Sequence, residues 1–123
     1  MKLHLENNPA LNTVTAYGDG YIEINRIRHE RALLVQPEGQ LLFWEAQGFD
    51  ALAQAHFEAI VPLAPELVLL GTGARQRFPH PVLTASLMRA RIGVEVMDTG
   101  AACRTYNILM SEGRRVLAAL LPG

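Results

Sequence analysis

A glycine–threonine–glycine turn at residues 71–73 follows the apolar run of residues 67–70. Such a run is typical of a buried strand, so we expect the turn at that strand's carboxyl end. Two glycines let backbone amides approach an anion closely, and two arginines just beyond would add positive charge. The candidate ligand-binding residues of this loop are Gly71, Thr72, Gly73, Arg75, Arg77 and His80. A tight turn that simply needs small residues is the interpretation we favour.

The known phosphate-binding motifs do not match this loop. A dinucleotide-binding fingerprint needs a third glycine where Gln76 stands, and Pro79 and Pro81 delay the helix that should follow at once. The lysine-containing ending of a Walker loop is absent. His80, between the two prolines, is the residue near the loop that we consider as an acid or base. No bound cofactor is expected.

Asp98 and Thr99 follow a strand predicted at residues 94–97 and begin a helix predicted at about residues 99–112. Their side-chain oxygens can accept hydrogen bonds from the free amides of the first helical turn. We expect the 94–97 strand to lie near the 67–70 strand, which would bring Asp98 and Thr99 to the glycine turn. They are therefore further ligand-binding candidates, although helix capping is sufficient to explain them.

The same helix carries a polar ridge, formed by Arg104, Asn107 and Ser111, beside an apolar face. Arg104 and Asn107 lie one turn apart, so they could present a guanidinium and a carboxamide to one ligand or protein partner. The alternative is a solvated face in which Asn107 bonds a neighbouring loop. The ridge is the candidate partner-binding surface. The predicted apolar face comprises Ala102, Cys103, Tyr106, Leu109 and Met110.

No catalytic or metal-binding residue is predicted. Cys103 lies near a helix start beside Arg104, but no histidine or second cysteine is close in sequence, so a buried structural role is favoured. The four histidines share no metal-ligand spacing; they are His4, His29, His56 and His80. Since no nucleophile motif or trustworthy carboxylate pair is present either, an enzyme is the less favoured class of protein.

The composition is that of a globular protein, with 50% hydrophobic and 19% charged residues among 123. A formal net charge of −1 gives no general attraction for nucleic acid or an anionic membrane surface. The longest apolar stretch, residues 116–121, is far shorter than the roughly 20 residues that span a bilayer. A single cysteine and an N-terminus without a signal-peptide pattern predict a cytoplasmic protein with no integral membrane segment.

Alternation in the N-terminal third predicts an antiparallel hairpin section. Residues 1–12 are expected to form a loosely held arm or an edge strand. Strands at 13–17, 21–25, 26–30 and 32–36 would turn at residues 18–20 and at Asn25, with Ile22 and Ile24 buried. Residues 41–44 would form a short buried strand.

Two helices are predicted in the middle of the chain. The first would span about residues 50–60, with its inward face formed by Phe49, Leu52, Ala53, Phe57 and Ile60. The second would span about residues 81–91 and end at Gly93, with its inward face formed by Leu83, Leu87 and Ala90. Because strands and helices alternate after a strand-rich start, we expect one α/β domain, residues 1–123, in which helices flank a mixed sheet.

Four strings carry a resemblance that spans nearly the whole chain: YGDGYIEINRIR, LLVQPEG, GTG at 71–73 and GVEVMDTGAACRTYNILMSEGRRVLAALLP at 93–122. With them the chain resembles the small uncharacterised family that includes mitochondrial complex I assembly factor 3. The most specific part is DT-x-AACRTYN-x-L-x-x-EGRRV. The resemblance implies one compact domain with helices flanking a mixed sheet, and, in the mitochondrial relatives, a part in assembling the respiratory NADH dehydrogenase. It supplies no catalytic activity.

Two hypotheses of function follow. The first is a non-catalytic interaction or assembly module that binds a protein partner through the polar ridge and exposed hairpin residues such as Arg26 and Arg28. The second is a binding protein or enzyme for a small anionic compound at the glycine turn. The resemblance favours the first. The apolar-rich composition also permits a homodimer.

Overall fold

A computed structural model describes residues 11–123 of the chain. The predicted N-terminal arm, residues 1–12, lies outside the described part except for Leu11 and Asn12. The Asn12 carboxamide donates hydrogen bonds to the carbonyls of Gln36 at 2.8 Å and Gly39 at 2.9 Å. The Asn12 side chain therefore connects the start of the described chain to the turn that follows residue 36.

The hairpin section forms an antiparallel sheet of three strands, β1 (Val14–Gly18), β2 (Tyr21–Ile24) and β3 (Ile27–His29). Asn25 and Arg26, with φ of 50° and 71°, form the tight turn between β2 and β3, as predicted for Asn25. Ile22 and Ile24 are buried while Tyr21 and Glu23 are half-buried, so the predicted alternation of faces is confirmed.

A second sheet forms the centre of the molecule, and its strand order is β5-β4-β8-β6-β7. Strand β6 is parallel to both β7 and β8, whereas β4 is antiparallel to β8 and β5. The prediction of helices around a mixed sheet with an antiparallel N-terminal section is confirmed. The strands are β4 (Leu33–Val35), β5 (Leu42–Phe43), β6 (Leu67–Gly71), β7 (Gly93–Met97) and β8 (Val116–Leu120).

Both faces of the central sheet are covered, which explains the unbroken apolar sequences of β6 and β8. One face packs against two short helices, α1 (Gln54–Glu58) and α2 (Ala85–Arg89). The other packs against the long helix α3 (Thr99–Ser111) and the hairpin sheet. The molecule thus has three layers, with the central sheet between the two helical layers. No helix among residues 11–123 is long and apolar enough to cross a bilayer.

Helix α3 forms as predicted because its ends are specified locally. The Asp98 carboxylate accepts a hydrogen bond from the Ala101 amide at 2.8 Å, and Gly113 has a φ of 81° just beyond the carboxyl end. Four residues of the predicted apolar face are buried and Leu109 is half-buried. The helix therefore lies across β8, β6 and β1 with its apolar face inward.

The first middle helix, predicted at residues 50–60, is broken into three pieces. A 3₁₀ turn spans Phe49–Ala51, Leu52 is extended, and a new helix starts at Gln54 because His56 Nδ1 accepts the Ala53 amide at 2.9 Å. A further 3₁₀ turn, Val61–Leu63, follows and includes Pro62. Because the break shifts the periodicity, Ala53 is exposed and its predicted inward position is wrong.

The second middle helix, predicted at residues 81–91, begins as a 3₁₀ turn (Pro81–Thr84) before α2. Helix α2 ends at Arg89 and Arg91 beyond it adopts a φ of 62°, so the helix stops before Gly93. Gly93 instead starts β7, where an added Cβ would lie 3.2 Å from Leu67 Cδ1. Ala90 is exposed because it follows the last helical turn, so its predicted inward position is also wrong.

The strand predicted at residues 41–44 is not buried. Leu42 and Phe43 form an exposed edge strand of two residues, because β5 pairs only with β4. Trp44, just beyond it, is buried and donates its indole N–H to the carbonyl of His56 at 3.0 Å. Burial therefore begins one residue after the strand ends.

Candidate functional site

The glycine turn and the start of α3 are joined by reciprocal hydrogen bonds. The Gly73 amide donates to Thr99 Oγ1 at 2.8 Å, and the Thr99 amide donates to the Gly73 carbonyl at 2.9 Å. Thr99 Oγ1 in turn donates to the carbonyl of Leu121 at 2.5 Å. The expectation that Asp98 and Thr99 lie beside the turn is confirmed, since β6 and β7 are adjacent and parallel.

The two glycines of the turn are required by packing and backbone conformation. A Cβ at Gly71 would lie 3.0 Å from Thr99 Oγ1 and 3.1 Å from Leu120 Cδ2. Gly73 has a φ of 104°, which residues other than glycine rarely adopt. The amides of Thr72 and Gly73 already bond Met97 O and Thr99 Oγ1. The turn itself therefore offers no pair of free amides to an anion, and a bound anion would need other groups.

Thr72 fixes the loop that follows the turn. Its buried hydroxyl donates to the carbonyl of Arg75 at 2.7 Å and accepts the amide of Arg77 at 3.1 Å. A single threonine side chain thus closes a five-residue loop by two bonds to its backbone.

The side chains of Arg77 and His80, two residues of the predicted ligand site, bond groups outside the glycine turn. The Arg77 guanidinium bonds Asp50 at 2.7 Å and stacks over the Phe49 ring at 4.2 Å. The hydrogen bond from Arg77 and its charge lower the pKa of the exposed Asp50 carboxyl. His80 Nδ1 accepts the Val82 amide at 3.1 Å and so starts the 3₁₀ turn. Arg75 is exposed.

Three predicted ligand-binding residues, Gly73, Asp98 and Thr99, and one predicted partner-binding residue, Arg104, line the same crevice of about 260 Å³. Asp98 and Thr99 line it together with Tyr17 and Arg104, whose guanidinium donates to the Tyr17 hydroxyl. Gly100 makes room for this pair, because a Cβ there would lie 2.8 Å from the Tyr17 ring. Arg104, predicted on the partner ridge, thus also lines a crevice that contains two aspartate carboxylates, Asp19 and Asp98, and one guanidinium.

Asn107 does not belong to an open ridge, because it pairs with the backbone of β1. Its Oδ1 accepts the Val14 amide at 3.0 Å and its Nδ2 donates to the Val14 carbonyl at 2.8 Å. The carboxamide therefore takes the place of a strand neighbour at the edge of the hairpin sheet. The outer surface of α3 is formed instead by Arg104, Ile108 and Ser111, whose hydroxyl donates to Ile108 O.

The buried reactive groups of α3 are structural. Burial raises the pKa of the Cys103 thiol to about 12, so the thiol is protonated at neutral pH and is a poor nucleophile. Burial also raises the pKa of Tyr106, whose hydroxyl donates to the carbonyl of Asn12 at 2.7 Å. Within residues 11–123, no three histidine, cysteine or acidic side chains are grouped as a metal site would require.

Another groove, of about 530 Å³, lies at the carboxyl end of α3 beside Ser111. Its arginines are already engaged. Arg114 bonds the Glu66 carboxylate at 3.1 Å, and Arg115 donates to the carbonyl of Ala64 at 3.0 Å. The charge of Arg114 is therefore paired with a carboxylate, while Arg115 is held in place by a backbone carbonyl.

A different surface, which sequence patterns missed, exposes large apolar side chains. Phe78 is 73% exposed and Met88 76% exposed, and both line a groove of about 370 Å³ along β7. Val82 is also exposed but lines a separate small cavity with Gln54 and Arg89. We call Phe78 and Met88 the apolar patch. The sequence did contain a signal for this surface. Phe78 lies before the predicted second helix and Met88 lies outside that helix's predicted inward face, and polar residues are expected at such positions.

Three comparisons identify relatives of the chain. An uncharacterised protein of Rhodobacter capsulatus is 38% identical over 111 residues, covering 89% of this chain and 83% of that protein. NADH dehydrogenase [ubiquinone] 1 alpha subcomplex assembly factor 3 of Bos taurus is 36% identical over 100 residues, covering 80% of this chain. The chain spans only 53% of the length of that bovine protein.

A crystal structure of a Bordetella parapertussis protein superimposes with a TM-score of 0.87 at 50% identity, covering 93% of this chain and 98% of that one. The family model described as protein of unknown function (DUF498/DUF598) matches residues 14–121. That match includes every strand and helix of the described fold. The chain therefore belongs to the DUF498/DUF598 family, and the resemblance to the family of complex I assembly factor 3 is confirmed.

Proposed function

We propose that the chain is a non-catalytic protein-interaction module of the assembly-factor kind, and that it docks a partner protein through the apolar patch. The observation that carries this proposal is the exposure of Phe78 and Met88, 73% and 76%, in the lining of one groove. Contiguous apolar surface of this kind marks interaction sites in soluble domains. Burying one such side chain in an interface contributes about 1.5–3 kcal/mol.

The names of the relatives support a role in assembly. The bovine relative is named an assembly factor of the NADH dehydrogenase, so its partners are proteins. We propose that this chain likewise binds a protein, in the cytoplasm. The buried, protonated thiol of Cys103 is compatible with a reducing compartment.

The α3 surface is the competing docking face. Ile108 is 58% exposed between Arg104 and Ser111, so two of the three predicted partner residues flank an apolar side chain. Ile108 itself borders neither the crevice beside Arg104 nor the groove beside Ser111, whereas Phe78 and Met88 both line one groove. We therefore place the main contact at the patch.

Affinity capture of the tagged chain at native expression level tests the choice of face. We expect Met88→Ser to lose the stoichiometric partner, while Ile108→Ser, a matched exposed apolar residue on the opposite layer, keeps it. Arg104→Glu should also keep it. Loss on Arg104→Glu or Ile108→Ser with retention on Met88→Ser would move the docking face to α3 and refute our assignment.

The alternative function, binding of a small anion, is favoured by one observation, the convergence of Arg104 and the Tyr17 hydroxyl in the 260 Å³ crevice. Asp19 and Asp98 in the same crevice oppose it by charge repulsion. Titration with inorganic phosphate, followed by amide chemical shifts, separates the two functions. Saturable shifts around Gly100 that vanish in Arg104→Gln would favour the anion, and their absence would favour the interaction module.

A further inference from the structure

Strand β7 is the last strand of the central sheet, and its outer edge has no strand neighbour within residues 11–123. The Gly93 amide donates to Glu66 O at 3.2 Å and Met97 O accepts from the Thr72 amide at 2.9 Å, so alternate residues from Gly93 face β6. The backbone groups of Val94 and Val96 therefore face outward.

One of these outward groups is occupied, because Gln76 Nε2 donates to the Val96 carbonyl at 2.9 Å. The amide and carbonyl of Val94 and the amide of Val96 make no bond to the rest of the described chain. Three outward backbone groups in a row are the template that an additional strand requires.

The side chains of β7 differ on its two faces. Val94 and Val96 lie on the face of the apolar patch and line its groove. Glu95 points to the other face, is exposed, and forms no ion pair within residues 11–123, since Arg114 bonds Glu66 instead. A strand paired with β7 would therefore meet apolar surface on one face and, on the other, an exposed carboxylate that forms no ion pair within residues 11–123.

We infer that β7 accepts an extended segment of the partner protein as a sixth strand, and that this segment carries the pattern apolar–basic–apolar. Its two apolar residues lie opposite Val94 and Val96 and fill the groove beside Phe78 and Met88. Its lysine or arginine lies opposite Glu95. This inference rests on the proposed function and adds to it the backbone conformation and residue pattern of the partner segment.

A second copy of the chain fits this edge poorly. Antiparallel pairing of two β7 strands centred on Glu95 would place two carboxylates directly opposite each other, which is destabilising. The opposite edge of the sheet, β5, is also a poor template. It has two residues, and the Arg31 guanidinium lies 4.2 Å above the Phe43 ring. Charge and strand length thus both point to β7 and to a basic partner segment.

The first test uses a phage-displayed library of random twelve-residue peptides against the full chain. We expect enrichment of apolar–basic–apolar peptides, and amide shifts at Val94 and Val96 when one enriched peptide is titrated. Val94→Pro removes an outward N–H without touching the bonds to β6, and should weaken that peptide at least tenfold. Val94→Ala keeps the N–H and should stay within about threefold.

The second variant covers the case in which Val94→Pro fails to fold. Glu95→Lys should reverse the preference for lysine over glutamate at the central peptide position, by up to about fivefold in each direction. Unchanged preference in Glu95→Lys, equal binding by folded Val94→Pro, or no enriched peptide would each overturn strand pairing. The proposed function fails separately, if Met88→Ser still captures the cellular partner.

Discussion

The two helical layers on either side of the central sheet are built and used differently. One layer holds a single helix of thirteen residues, α3, with the hairpin sheet beside it. The other holds five-residue helices joined by 3₁₀ turns. In the α3 layer Asp98 and Asn107 bond the backbone of the fold and Ile108 is exposed singly, whereas in the broken layer Phe78 and Met88 are exposed along one groove. The regular layer therefore supplies stability and the irregular layer supplies the candidate docking surface.

Asn107→Ala is expected to produce the largest loss of stability in this comparison. It leaves the half-buried amide and carbonyl of Val14 without their partners, which costs about 1–3 kcal/mol in the free energy of unfolding. Urea unfolding measures it, with Ser111→Ala, whose hydroxyl bonds only its own helix, as the control. Equal stability of Asn107→Ala and the control would mean that β1 does not depend on α3.

Alkaline pH tests the burial of the α3 layer. The pKa of Cys103 is raised to about 12 in the folded chain, so between about pH 9 and pH 12 only the unfolded chain loses this proton. The unfolded state then binds fewer protons, and the free energy of unfolding falls by about 1.4 kcal/mol per pH unit through this window. Below pH 8 this contribution is fully present and constant.

Cys103→Ala should remove the contribution of Cys103 to the fall in the free energy of unfolding with pH. Urea unfolding of both proteins at pH 8, 9 and 10 measures this difference. Thiol labelling of the native chain at pH 8 should be slow and should become fast in urea. Rapid native labelling at pH 8 would contradict the buried position of the thiol.

Met88→Ser is expected to have the smallest effect on stability, within about 0.5 kcal/mol, because its side chain is 76% exposed. Thermal unfolding measures this change, and Leu87→Ser, at the neighbouring fully buried position, is the destabilising control. A large loss of stability in Met88→Ser would show that the patch belongs to the core, and would remove the contrast between the two layers.

The helix α3, the buried strand β6 and the hairpin of β2 and β3 could be predicted because their determinants are local. Asp98, Gly113 and Asn25 act on backbone groups within a few residues of themselves. The break between Leu52 and Gln54 could not be predicted from periodicity, because apolar spacing continues through it. It depends on the bond from Ala53 to His56 and on what the flanking side chains bury.

Some features of the candidate site could likewise be predicted from the sequence, and others could not. The neighbourhood of Gly73 and Thr99 followed from the expected pairing of two strands, and the need for small residues at the turn followed from the glycines themselves. The separation of Arg77 from that turn did not follow, because its partner Asp50 lies 27 residues away in the chain. Likewise, whether Phe78 is covered depends on every element that packs nearby.

Sequence patterns alone were sufficient for the α/β class, the long capped helix and the alternation of the hairpin, because caps, positive-φ turns and two-residue periodicity act over a few residues. Only the tertiary structure decided that Asn107 completes β1, that Arg104 lies in a crevice with Tyr17, and that β7 is an open edge beside an apolar groove. Those outcomes depend on contacts between residues up to 93 positions apart, and pairing at that range is set by the packing of whole layers.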